Sequence, residues 1–138
     1  MGRVIKIEGP GKDRKRLTRA IVLALRELMQ QSQPDDETRN LAAFIGLALQ
    51  AVYETIDETV TPWEKRGYWL KADRFRLEWE WTGRIGEAMV TAVLAENWAE
   101  VAGLAGQVAG KLDDVKLPKR HRMGTPWEGA WQELQKNS

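Results

Sequence analysis

Residues 75–81 read Phe-Arg-Leu-Glu-Trp-Glu-Trp, FRLEWEW, and the fold turns on whether this stretch is strand or helix. Its strict alternation of apolar and charged side chains is strand grammar, because successive strand residues point to opposite faces. A helical stripe crosses the same residues: Leu70, Leu77, Trp81, Ile85, Ala88, Met89, Ala92 and Val93 recur at helical spacing. Arg74–Glu78, Arg76–Glu80 and Glu80–Arg84 add opposite charges four residues apart, each pair worth about 0.3 kcal/mol on a helix. The helix reading is preferred. It predicts one continuous rod from Pro62 to Ala95, about 50 Å long. Tyr68, Phe75 and Trp79 fall off its main stripe and give the rod a second apolar side.

Outward from the rod, the same periodicity continues in both directions. Leu17, Ala20, Ile21, Ala24, Leu25 and Leu28 mark an amphipathic helix over residues 12–31. Lys12, Lys15, Arg16, Arg19 and Arg26 lie on its opposite side. QSQPDDE ends it and supplies aspartates to start a second helix, whose apolar face is Leu41, Phe44, Ile45, Ala48, Leu49, Val52, Ile56 and Val60. TPWE occurs at 61–64 and again at 125–128. A threonine cap, a proline in the first turn and a glutamate three residues after the cap make a helix start. Thr61 is therefore expected to open the rod, and Thr125 a short terminal helix carrying Trp127, Trp131 and Leu134. Asn97–Glu100 has the same grammar and opens a helix with Trp98, Val101, Leu104, Ala105, Val108 and Leu112 on one side. Gly103, Gly106 and Gly110 on that helix are expected to admit a close neighbour. RVIKIEGPG reads as a short strand or an extended arm.

The expected fold is all-α: a four-helix bundle-like domain with one long helix and a short C-terminal helical arm. Residues 1–115 form the bundle, and 116–138 the basic linker and arm. At 138 residues this is about one domain.

Composition narrows the chemistry. The chain has no cysteine, so thiolate metal sites and cysteine nucleophiles are excluded. Its one histidine, His121, sits among Lys119, Arg120 and Arg122, and its two serines are Ser32 and Ser138, which leaves no basis for a Ser–His–Asp constellation. VIKIEGPGKDRKRLT resembles a phosphate loop only in outline, since Lys6 and Asp13 occupy the places where that motif needs glycine and a magnesium-binding hydroxyl. Glu54, Asp57 and Glu58, at i, i+3 and i+4, are the one candidate for sharing a hard cation. No cofactor is expected. The longest apolar run, LAAFIGLAL, is far short of the roughly twenty residues that span a bilayer, so no membrane partner and a cytoplasmic location are expected.

Charge is segregated although the net is +1: residues 1–33 balance to +5, 34–62 to −5, 63–115 to −2 and 116–138 to +3. Seven tryptophans are more than a small core accommodates easily, and tryptophan is enriched at interfaces. Three functional readings follow. The first is a non-catalytic assembly or adaptor subunit, docking a protein partner or a second copy across a two-fold axis through Tyr68, Phe75, Trp79, Trp127 and Trp131. The second is sequence-independent nucleic-acid binding through Lys12, Lys15, Arg16, Arg19, Lys119, Arg120 and Arg122. The third is a metal-dependent phosphate-cleaving enzyme of all-α type.

Overall fold

A computed structural model of the chain describes residues 8–137; of the strand or arm read in residues 3–11, residues 3–7 lie outside them, and Pro10 and Gly11 are the first residues of α1. The described residues are helical and contain no strand. Element order is α1 (Pro10–Leu28), α2 (Asp36–Lys65), α3 (Trp69–Trp79), α4 (Trp81–Leu94), α5 (Trp98–Lys111) and α6 (Ala130–Lys136). FRLEWEW is helical and not strand: residues 75–79 end α3, Glu80 is a turn and Trp81 opens α4.

The long helix is α2, and the rod over 62–95 does not exist. Thr61 caps nothing: its hydroxyl donates to the Asp57 carbonyl at 2.6 Å, and Pro62 sits inside α2. Proline forfeits one ladder bond there. The helix still runs to Lys65, which keeps Val60 fully buried and lets Trp63 stack edge-on against Phe75 at 5.4 Å. At 125–128 the Thr125 hydroxyl does meet the Glu128 carboxylate at 2.6 Å. The residues form a turn, however, and α6 starts later, after Gly129 at φ +78°. Asp35 and Asn97 do cap as expected, accepting from the backbone N–H of Thr38 at 3.0 Å and of Glu100 at 3.2 Å.

Two breaks replace the rod. The first is a helix stop at Gly67, whose φ of +82° suits glycine. Tyr68 N–H bonds back to the Trp63 carbonyl at 2.8 Å, and Gly67 N–H to that of Glu64 at 3.0 Å. This crossed pair is the Schellman arrangement that satisfies the last carbonyls of a helix. The second is at Glu80, where the Thr82 hydroxyl takes the Trp79 carbonyl at 2.7 Å and Gly83 N–H reaches only three residues back, to Glu80, at 3.2 Å. With the rod gone, so is the second apolar side on which the two-fold pairing rested.

α2 is the hub. α1 and α4 pack along it most extensively, α3 and α6 also lie on it, and α5 packs on α4. The core is built from Ile21, Leu41, Ile45, Leu49, Ile85 and Met89 and their neighbours, and it extends to Trp127, Ala130 and Leu134 of the C-terminal segment. The α2–α4 crossing is close because it is lined with glycine: a Cβ on Gly86 would lie 3.0 Å from Leu49 Cβ, and one on Gly46 would lie 2.9 Å from Val90 Cγ2. On α5 the expected close neighbour is missing, since a Cβ on Gly103, Gly106 or Gly110 would meet nothing within 4 Å.

Candidate functional site

The break at Gly67 turns the chain back on itself, so α2 and α3 form a helical hairpin with residues 65–71 at its tip. α3 seats its inner face on α2. Ala72 is its one buried residue, flanked by half-buried Phe75 and Trp79. Phe75 and Trp79 lie 6.3 Å apart, centroid to centroid. The Arg14 guanidinium of α1 reaches over both rings, at 4.6 Å and 5.6 Å, while its Nη1 donates to Thr55 at 3.1 Å and Thr59 at 3.0 Å. Burial lowers the Arg14 pKa and the nearby Glu78 carboxylate opposes that shift. Lys71 Nζ stands 4.2 Å above the Trp63 ring. Arg76 bridges to α2 through Asp57 at 2.6 Å and Glu64 at 3.1 Å, and hydrogen bonds to those carboxylates, Asp57 first, raise its pKa.

The outer face displays large apolar side chains among the exposed charges of Asp73, Arg74 and Glu78. Tyr68, Trp69, Leu70 and Leu77 are 52%, 60%, 63% and 70% exposed, and only Met29 and Tyr53 join them as exposed large hydrophobics among the described residues. Leu70 and Leu77 were assigned to the inward stripe of the rod. The breaks rotate them outward and bring Phe75 and Trp79 inward. Of the expected docking residues, only Tyr68 is therefore displayed as anticipated. Phe75 and Trp79 serve to anchor α3. Trp127 is 3% exposed, its indole N–H donating to Glu37 Oε2 at 2.9 Å, so it holds the C-terminal segment on α2 instead of meeting a second chain. Trp131 is half-buried, and its backbone N–H donates to Asn40 Oδ1 at 2.9 Å.

The basic residues do not form one surface. Lys12 and Lys15 are exposed on α1, but Arg16 pairs at 2.9 Å with fully buried Asp13, and Arg19 is half-buried. Lys119, Arg120 and Arg122 are exposed in the C-terminal segment, which Arg26 pins by donating to the Leu117 carbonyl at 3.1 Å. Arg16 and Arg122 both line a groove of about 600 Å³ between α1, α2 and that segment, together with Leu17, Phe44, Met123 and Glu133. Glu54 lines the same groove, while Asp57 is engaged by Arg76. Among the described residues no three His, Asp or Glu side chains are grouped to hold a metal ion, the candidate set Glu54, Asp57 and Glu58 included. Met123 N–H donates to His121 Nδ1 at 3.3 Å, a local turn contact.

No family model, curated protein or solved structure matches the chain. The site must be read from its own chemistry.

Proposed function

We propose that this chain is a non-catalytic docking protein, an assembly or adaptor subunit, whose working surface is the outer face and tip of the α2–α3 hairpin. The observation that carries the reading is the contrast within α3, an 11-residue helix that buries one alanine and displays Trp69, Leu70 and Leu77 to solvent. With Tyr68, residues 68–77 hold four large apolar side chains that are each more than half exposed, and aromatic side chains of this kind are enriched at interfaces. A second reading, sequence-independent nucleic-acid binding, keeps one supporting observation, that Arg16 and Arg122 line the same groove. The pairing of Arg16 with Asp13 weighs against it.

The test is Leu70→Gln together with Leu77→Gln. Docking residues leave the fold alone when replaced, so the urea midpoint should move by less than the equivalent of about 1 kcal/mol while binding of an apolar dye falls. A loss of several kcal/mol would show that these leucines serve the core, and the reading would fail.

A further inference from the structure

We propose that the hairpin tip, residues 65–71, inserts into the interfacial region of an anionic lipid bilayer. This rests on the docking reading above and names its partner. Lys65, Arg66, Gly67, Tyr68, Trp69, Leu70 and Lys71 are seven consecutive exposed residues. Neighbours on a helix point about 100° apart, so Trp69 and Leu70 diverge at the start of α3, and Tyr68 precedes them as its non-helical N-cap. A protein groove or a second helix touches one side of such an end. Lipid surrounds an inserted end on all sides.

Charge selects the kind of surface. Lys65, Arg66 and Lys71 stand at the tip, and no carboxylate occurs from residue 65 through 72. Glu64 and Asp73 flank this stretch: Glu64 is engaged by Arg76, and Asp73 is exposed on α3. Two copies meeting tip to tip across a two-fold axis would set these cations against each other, which disfavours a second copy as occupant. Nucleic acid would accept the cations and the aromatic rings but offers nothing to Leu70. An anionic bilayer uses all of them: tryptophan and tyrosine settle at headgroup level, leucine reaches the acyl boundary, and lysine and arginine remain among the phosphates. No helix of the described residues is long and apolar enough to cross a membrane, so the contact is peripheral.

The test is co-sedimentation of the full chain with vesicles of phosphatidylcholine alone and of phosphatidylcholine with phosphatidylserine. Three cations near an anionic surface are together worth roughly a hundredfold in partitioning. A preference of at least about tenfold for the phosphatidylserine vesicles is expected, weakening with salt. Lys65→Glu with Arg66→Glu should abolish the preference. Trp69→Ala with Leu70→Ala should lower binding by about tenfold with the circular dichroism spectrum unchanged. Lys119→Glu with Arg120→Glu, on the C-terminal segment, should leave binding as it was. Equal binding to both vesicles, or a loss caused by the Lys119/Arg120 variant and not by the tip variants, overturns the proposal. If wild type ignores both vesicles yet light scattering shows an association that Leu70→Gln with Leu77→Gln removes, the lipid proposal fails and the docking reading stands.

Discussion

Replacing Gly86 by alanine adds one methyl group at the α2–α4 crossing. The new carbon would lie 3.0 Å from Leu49 Cβ, 3.1 Å from the Gln50 backbone nitrogen and 3.2 Å from Gln50 Cγ. Carbon atoms attract best at about 3.5–4.0 Å, so the neighbours must retreat by several tenths of an ångström. Two of these three atoms belong to α2's backbone or are bonded directly to it, and α2 is the hub on which α1, α3 and α6 also lie. Overpacking of this kind costs about 1–3 kcal/mol, against a helix-propensity gain of about 0.8–1 kcal/mol for alanine over glycine. The net is a destabilisation of about 1 kcal/mol, or roughly 3–5 °C in Tm for a chain of this size. Gly103→Ala is the matched comparison, because nothing lies within 4 Å of its added carbon. There only the propensity gain survives, and the variant should be more stable by about 0.5–1 kcal/mol. Urea unfolding followed by far-ultraviolet circular dichroism, with equal slopes, reads both signs. If Gly86→Ala stabilises as much as Gly103→Ala, the crossing is not tight and the reasoning is wrong.

Two further outcomes follow from the charged contacts. Asp35 accepts from the backbone N–H and the hydroxyl of Thr38, and these bonds, the backbone one first, lower its pKa. A depressed carboxylate contributes fully above its unfolded pKa of about 3.9 and loses its contribution as pH falls through the lower folded value. Urea midpoints measured from neutral to acidic pH should therefore drop less steeply at the acid end in Asp35→Ala than in wild type, and equal slopes would refute the role. Arg14→Ala removes the guanidinium that joins Thr55 and Thr59 to the rings of Phe75 and Trp79. A loss of about 1–2 kcal/mol is expected, felt first as faster amide exchange within residues 69–79, whereas uniform acceleration across α1 and α2 would contradict an anchoring role for Arg14.

The helical class was legible because the period of FRLEWEW's neighbours outweighs seven residues of alternation. The contacts that hold the helices are only partly those the spacing suggests. Arg76 was assigned to Glu80 along one helix, yet it reaches across to Asp57 and Glu64 of α2. Gly67 offered a readable stop, a glycine just past a lysine and an arginine, but it was masked by periodicity. Leu70 and Leu77 keep the spacing of α4's stripe although the chain has turned between them and α2. The break at Glu80 left no such mark, since the residue stays in right-handed helical conformation and only the hydrogen-bond ladder shifts. This explains how the site was misplaced. Once α3 is rotated, the off-stripe aromatics Phe75 and Trp79 face α2 and the stripe residues face water. The cue that could have found the tip is KRGYWLK itself, in which a glycine turn carries two aromatics and a leucine among cations with no acid.

An 11-residue helix that buries one alanine does not hold itself in place, since isolated helices shorter than about 12–15 residues are marginal in water. α3 is held from its inner flank, by Trp63 against Phe75, by Arg14 over the Phe75 and Trp79 rings, and by Arg76 on two carboxylates of α2. Trp79 packs against the core from this flank, and no ring contact or ion pair of α3 involves Leu70 or Leu77, which stay exposed. A helix serving the core would place its leucines inward and spend its cations on the rim. Here aromatic rings and ion pairs fix the orientation of the helix, and the leucines with Trp69 are what that orientation presents. Anchoring by half-buried rings and ion pairs, with the leucines left outside, is the arrangement expected of an element positioned to meet something outside the chain.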